Sequence, residues 1–232
     1  MKFSSTLFVE YLYFPILLIV LIIGIVTYKK LNLPFKILTF YAGSTFFANI
    51  AERISVVISG TNAPVLHIED LLEYIFCASI YYYFFTNKNI KIAIITSIIV
   101  ITIFAIINAF TWQPLLKAFP TNITLPAFAI LTILSLLLFR QMLLSPVNIP
   151  LLSQGVFWYN TAILFYSTTL FFIIGLSNYQ LRFHGLVKYF FYLWYAILYI
   201  FAALLALTLL KASKEINKSH ASRRASLIKN LF

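Results

Sequence analysis

The sequence predicts an all-α membrane protein with seven transmembrane helices. Hydrophobic residues make up 62% and charged residues 10% of its 232 positions, a balance that soluble domains of this length do not show. Apolar stretches near the roughly 20 residues needed to cross ~30 Å of hydrocarbon recur along the chain. We therefore expect one membrane domain over residues 1–210, followed by a basic cytoplasmic tail over residues 211–232.

The first four spans are separated by turn-forming residues. The N-terminal stretch ends in Lys29-Lys30 and has no small-x-small cleavage site, so we expect an uncleaved first helix. The second span follows Leu33-Pro34, the third follows Ser59-Gly60, and the fourth follows Asn87-Lys88-Asn89. Pro and Gly at these positions are typical of breaks between helices.

The last three spans are bounded in the same way. Pro120 and Pro126 make the start of the fifth span irregular, Ser145-Pro146 precedes the sixth, and His184-Gly185 precedes the seventh. The seven predicted spans are Phe8–Tyr28, Ile37–Ile58, His67–Phe85, Ile90–Phe110, Asn122–Met142, Gln154–Leu176 and Val187–Leu210.

The Lys and Arg residues in the loops predict the orientation, because cytoplasmic loops carry an excess of them. One side carries twelve of the 17 cations: Lys29, Lys30, Lys36, Lys88, Lys91, Arg140 and the six of the tail. The other side carries four, which are Lys2, Lys117, Arg182 and Lys188. This predicts an outward N-terminus and a cytoplasmic C-terminus. The Ile, Lys and Asn bias of the sequence is consistent with the inner (plasma) membrane of a bacterium.

Carboxylates point to a candidate site. Five of the six acids lie in the first third of the chain: Glu10, Glu52, Glu69, Asp70 and Glu73. An ionisable group inside a bilayer costs about 2.5–3.5 kcal/mol on insertion scales, so acids found there usually have partners or a function. A short loop joins the second and third spans, which predicts antiparallel neighbours. Glu52 and Glu73 then lie at matched depth, each roughly 9 Å below the outer membrane edge.

The neighbours of these acids complete the hypothesis. Arg53 lies beside Glu52, Asn49 stands one turn deeper, and Glu69 stacks on Glu73. One interpretation is structural, with Arg53 paired to Glu52 or Glu73. The other is an outward-facing polar pocket between the first three helices that binds a proton, a cation or a small polar ligand. Its predicted ligand-binding residues are Asn49, Glu52, Arg53, His67, Glu69, Asp70, Glu73 and His184, and Asn108 could add a further polar wall.

The sequence carries no complete catalytic or cofactor-binding motif. His67, Asp70, Glu73 and His184 are acceptable zinc ligands, but no HExxH occurs, and seven-helix zinc hydrolases need a His pair that the last span lacks. No Lys lies midway along that span to carry retinal, and no nucleotide-binding glycine pattern occurs. We expect no cofactor and no metal, and a membrane-embedded metal hydrolase ranks third among the functional hypotheses.

A transporter is the second hypothesis. Leu31-Asn32-Leu33-Pro34 resembles Val147-Asn148-Ile149-Pro150, a spacing that would suit two parallel three-helix repeats. The leading hypothesis is a non-enzymatic sensor or receptor-like module that relays its state to a cytoplasmic protein partner. The net charge of +11 follows the loops and tail on the predicted cytoplasmic side, so anionic lipid is the expected contact and nucleic acid is not.

Two runs carry a loose resemblance. Leu66 to Tyr74, and the aromatic run from Phe157 to Phe172, resemble a family of uncharacterised small seven-helix bacterial inner-membrane proteins. The resemblance implies the same fold over nearly the whole chain, and it implies no activity.

Overall fold

The computed structural model describes residues 5–144, 150–176 and 187–229, with side chains over 12–144, 150–176 and 189–215. These residues form seven α-helices and two short 3-10 turns, and the described ranges contain no strand. The helices are α1 (Ser5–Thr27), α2 (Leu33–Ser59), α3 (Ala63–Phe84), α4 (Lys88–Thr111), α5 (Thr121–Leu144), α6 (Gly155–Gly175) and α7 (Val187–Lys229).

Local sequence signals account for the helix ends. Pro34 lies in the first turn of α2, where its missing N–H costs nothing. Gly60 ends α2 with a φ of 75° and donates its N–H to the Val56 carbonyl at 3.0 Å, a left-handed cap that favours glycine. Asn87 caps α4, because its side-chain oxygen accepts the N–H of Asn89 at 2.8 Å. The α2–α3 hairpin predicted from Ser59-Gly60 is therefore confirmed.

Five of the helices are long and apolar enough to cross a membrane: α1, α4, α5, α6 and α7. The chain is therefore a helical multi-pass membrane protein. The two remaining helices, α2 and α3, carry the intrahelical acids and more polar residues, which lowers their mean hydropathy. The count of seven spans and the orientation stay predictions.

The predicted spans match the observed helices within a few residues, with one exception. The last span was expected to end at Leu210, but α7 continues without a break to Lys229. The apolar run does end near Leu210. Hydropathy therefore predicted the end of the apolar segment correctly, but the helix itself continues beyond it. Ala, Lys, Glu, Arg and Leu dominate the continuation, and these residues favour helix.

Six helices form a ring. Contacts run from α1 to α2, α2 to α3, α3 to α5, α5 to α6, α6 to α7 and back from α7 to α1, while α4 packs outside against α3 and α5. The α6–α7 pair approaches closely because Gly155 lies against Ala212: a Cβ on Gly155 would be 2.9 Å from the Ala212 Cβ. Small residues of this kind let helices in membranes pack backbone to backbone.

A polar network ties α3, α5 and α6 together in the core. The Tyr81 hydroxyl donates to Asn160 Oδ1 at 2.9 Å and lies 2.5 Å from Ser135 Oγ, while Asn160 Nδ2 donates to the Ser135 carbonyl at 3.0 Å. All three side chains are fully buried. Buried polar groups of helices in lipid require such partners. We call Tyr81, Ser135 and Asn160 the Asn160 network.

Candidate functional site: an acid-lined cavity

A cavity of about 250 Å³ lies inside the ring of helices. Its lining comes from α1, α2, α3, α6 and α7, with Asn62 of the α2–α3 loop at one end. Glu52 and Glu69, near this end, are partly exposed, whereas Glu73 lies about one turn further along α3 than Glu69 and is buried. The cavity therefore opens at the α2–α3 loop and ends at Glu73. We call it the acid cavity.

Four carboxylates line the acid cavity, and two of them have neutral partners at its edge. Asn62 Nδ2 donates to Glu52 Oε2 at 3.0 Å, and the Thr124 hydroxyl of α5 donates to Asp70. Glu69 approaches Glu52 across the α2–α3 pair. Among the described residues, no Lys, Arg or His lines the cavity. Any charge that these lining residues carry is therefore negative, which favours a cation over an anion.

Glu73 is the most deeply placed of the four acids. Tyr166 of α6 donates its hydroxyl to Glu73 Oε2 at 3.2 Å. The other oxygen, Oε1, is buried and has no hydrogen-bond partner within the described part of the chain. Glu73 as a whole is 8% exposed. A buried carboxylate oxygen with no donor is costly and rare, so this atom marks a position where a ligand donor or cation would be stabilised.

Aromatic rings form much of the remaining wall. The lining includes Tyr13 of α1, Tyr41 of α2, Tyr166 of α6 and Trp194 and Tyr195 of α7. The Tyr166 ring stacks on Phe201 of α7 with centroids 4.0 Å apart, which fixes the ring whose hydroxyl holds Glu73. Aromatic faces attract organic cations through their negative quadrupole. Carboxylates and aromatic rings together are the side chains that recognise ammonium groups.

The inner end of the cavity is closed. One turn beyond Tyr41, Glu73 and Leu205, the three helices place Leu38, Cys77 and Leu209, each of which is 0% exposed. No polar path is lined by these side chains. The acid cavity is a blind pocket in this conformation.

Five of the eight predicted ligand-binding residues line this cavity. They are Asn49, Glu52, Glu69, Asp70 and Glu73. The Asn49 amide donates to the Thr45 carbonyl of its own helix at 3.0 Å, which leaves its side-chain oxygen available. The antiparallel α2–α3 pairing therefore brings the acids together as the sequence predicts. The wall extends beyond the three predicted helices, because α7 lines the cavity more extensively than α1 does and α6 adds Tyr166.

Of the other three predicted residues, two do not line the cavity and one is outside the described part of the chain. His67 is buried with Nε2 3.0 Å from the Ala118 carbonyl, so it ties α3 to the α4–α5 loop. Arg53 is half-buried on α2 and is not part of the cavity wall. His184 lies outside the described residues, as does the Glu10 side chain. Binding by these residues stays a prediction.

The predicted polar wall at Asn108 is wrong. Asn108 Nδ2 donates to Gln113 Oε1 at 3.0 Å, and Asn122 Nδ2 donates to Asn108 Oδ1 at 3.0 Å. Asn108 therefore closes the α4–α5 connection, away from the acid cavity, because α4 lies outside the ring of helices. The sequence placed Asn108 at the correct end of the bundle, but its helix, α4, does not line the cavity.

The aromatic wall was not anticipated from the sequence. Aromatic residues make up 18% of the chain, so a single Tyr carries little information. Tyr166 and Tyr195 reach the cavity only because α6 and α7 close the ring with α1. The usable signal was polar spacing within α3, where Glu69 and Glu73 are four residues apart and share a face.

Within the described ranges, no three His, Cys, Asp or Glu side chains are placed so that they could hold one metal ion. The repeat proposed for a transporter cannot be compared, since residues 147–149 lie outside the described residues. No family model, no curated protein and no solved structure matches this chain.

Proposed function

We propose that this chain is a receptor-like membrane protein that binds a small cation in the acid cavity and relays the bound state through α7. The observation that carries the proposal is the pairing of four carboxylates with an aromatic wall and no lining cation. The unpartnered Oε1 of Glu73 supports it, because a bound ammonium N–H would supply the missing donor. An organic ammonium fits better than a metal ion, since no three possible metal ligands converge among the described residues.

A relay is supported by the path of α7. The helix lines the cavity with Trp194, Tyr195, Phe201 and Leu205 and then runs on as part of the same 43-residue helix. At about 1.5 Å per residue it is roughly 65 Å long, twice the hydrocarbon thickness. Its sequence contains neither Pro nor Gly, the usual causes of kinks. Cavity and basic tail therefore share one rigid element, which a cytoplasmic partner could contact.

We propose that all seven helices cross the membrane, with the cavity mouth outside. In support, α2 and α3 have 27 and 22 residues, enough to span, and α2 presents exposed Phe40, Phe47 and Val57 to its surroundings. A periplasm-only reporter inserted between Ser59 and Pro64 should be active, and the same reporter fused after Phe232 should be silent. Activity at Phe232 would contradict both the orientation and an outward mouth.

The binding experiment uses purified protein in nanodiscs and isothermal titration calorimetry with ethylammonium, tetramethylammonium, sodium and calcium chlorides. We expect the ammonium ions to bind best, and Glu73→Gln to weaken their binding at least tenfold because the neutral amide loses the charge attraction. Glu215→Gln is the matched control. Glu215 lies outside the cavity and accepts the Gly155 N–H at 3.2 Å, so this variant should bind like the wild type. Equal binding to Glu73→Gln and wild type would refute the proposal.

Transport is the competing function, and the closed inner end favours binding without passage. Proteoliposomes loaded with labelled tetramethylammonium separate the two. A receptor-like protein should release label no faster than empty liposomes, even though the cation binds. Saturable release that Glu73→Gln abolishes would favour a transporter.

A further inference from the structure

A second cavity, of about 300 Å³, lies on the face of the α2–α3 pair that points away from the interior of the helix ring. Its lining is mostly apolar and includes Ala48, Ala51 and Val65. Phe47, Ile68 and Leu72 also line it and are exposed, so the cavity is open to the surroundings of the bundle. We call it the α2–α3 groove.

The groove and the acid cavity are adjacent and share part of their lining. Tyr41, Thr45, Glu69 and Glu73 line both of them. Glu69 and Glu73 are one turn apart on α3 and are the only acids of the groove lining within the described residues. The groove therefore ends at two carboxylates, one of which carries the buried oxygen without a donor. An apolar channel that stops at two carboxyl groups matches a molecule with an alkyl chain and a positive head.

We infer that the ligand is an alkylammonium amphiphile, whose head group lies between Glu69 and Glu73 and whose chain fills the α2–α3 groove. The inference rests on the proposed cation-binding function and adds the ligand's apolar part. The head satisfies Glu73 Oε1 and meets the Tyr41 ring, while the chain contacts Ala48, Ala51 and Leu72. Among the described residues the groove lining holds no Lys, Arg or His, so an anionic head group would be repelled.

A chain-length series tests this inference. The free aqueous concentration of ethyl-, butyl-, hexyl- and octylammonium is measured over nanodiscs, and partition into empty nanodiscs is subtracted. Each methylene that enters the groove should tighten the Kd by about fourfold, the ratio expected for burying one CH₂. Octanol, which has the same chain and no charge, should bind at least tenfold more weakly than octylammonium.

Filling the groove provides the decisive variants. Ala48→Leu and Ala51→Leu add side-chain volume inside the groove, and Ala93→Leu adds the same volume to the exposed face of α4. We expect both groove variants to weaken octylammonium binding at least tenfold while ethylammonium stays within twofold of wild type. Ala93→Leu should leave the whole series unchanged. Thermal unfolding of each variant shows that it is folded, and either groove variant alone suffices for the comparison.

The possible failures are distinguishable. If ethylammonium binds in a Glu73-dependent manner but longer chains add nothing, or if the groove variants behave like Ala93→Leu, the inference is wrong and the proposed function stands. If octanol binds as well as octylammonium, the head group is not recognised and the inference is wrong. If no ammonium ion binds, or Glu73→Gln binds all of them as wild type does, the proposed function falls as well.

Discussion

The acid cavity and the Asn160 network are two polar regions of the same bundle, and they treat hydrogen bonding in opposite ways. In the network the Tyr81, Ser135 and Asn160 side chains are hydrogen-bonded to one another, and Asn160 lines neither the acid cavity nor the α2–α3 groove. In the acid cavity four carboxylates surround open volume, and Glu73 Oε1 is left without a donor. Complete pairing is what helix association requires, whereas incomplete pairing beside open space is typical of binding sites.

The largest expected effect comes from removing the amide of Asn160. Asn160→Ala removes one of the two partners of the Tyr81 hydroxyl, leaving Ser135 Oγ, and it removes the side-chain donor to the Ser135 carbonyl. We expect a loss of about 2–3 kcal/mol in the free energy of unfolding, since two buried hydrogen bonds are lost and a cavity is left. Thermal unfolding in a mild detergent measures it. Asn49→Ala removes an amide that donates within its own helix; it should cost less than ~1 kcal/mol, and equal losses would erase the contrast between the two regions.

A second test acts on the helix pair that joins the regions. Gly155→Ala places a Cβ 2.9 Å from the Ala212 Cβ and 3.0 Å from its Cα. Because backbone must move to relieve this contact, we expect a loss of about 1–2 kcal/mol. Gly43→Ala is the matched control, since its new Cβ meets only Leu21 at 3.6 Å, and it should be neutral or stabilising by up to ~1 kcal/mol. The pair of variants is compared by urea or thermal unfolding. A neutral Gly155→Ala would show that α6 and α7 are not tightly joined.

A substitution in the acid cavity should change the free energy of unfolding in the opposite direction. Glu73→Gln keeps an acceptor for Tyr166 and removes a buried ionisable group that faces no Lys, Arg or His among the described lining residues. Its free energy of unfolding should stay constant or rise by up to ~1 kcal/mol, even though cation binding is lost. Measured at fixed pH without added amines, a loss above ~1 kcal/mol would mean that Glu73 is structural, as Asn160 is.

The smallest effect concerns the end of α7. Deleting residues 216–232 should leave unfolding and membrane insertion unchanged, because earlier cations on the same side still set the orientation. Deleting residues 214–232 also removes Glu215, which caps the first residue of α6, and should cost about 0.5–1 kcal/mol. Membrane levels and detergent unfolding of both truncations are the measurement. A failure of the shorter deletion to insert would make the tail part of the fold.

The two regions also differ in how far sequence could predict them. Glu52 on α2 and the acids of α3 predicted the cavity, because ionisable groups in apolar helices are energetically unfavourable unless they have partners or a function. The helix positions followed from hydropathy and from breaks such as Ser59-Gly60. By contrast, Asn160 and Ser135 are ordinary polar residues in long spans, and only the packing of α3, α5 and α6 makes them one network. The placement of His67 at the Ala118 carbonyl depends on a loop fold that local sequence does not determine.

The close contact of Gly155 with Ala212 is a point about which α7 would tilt if it moved as a rigid helix. From Ala212 the helix extends eleven residues back to Phe201 in the cavity wall and seventeen residues forward to Lys229. These arms are about 16 Å and 26 Å long. If a bound ligand displaced the cavity arm sideways about this contact, a rigid helix would move its basic end in the opposite direction by about 1.5 times as much. Mechanical gain of this kind needs no flexible hinge, only a stiff rod and one tight crossing.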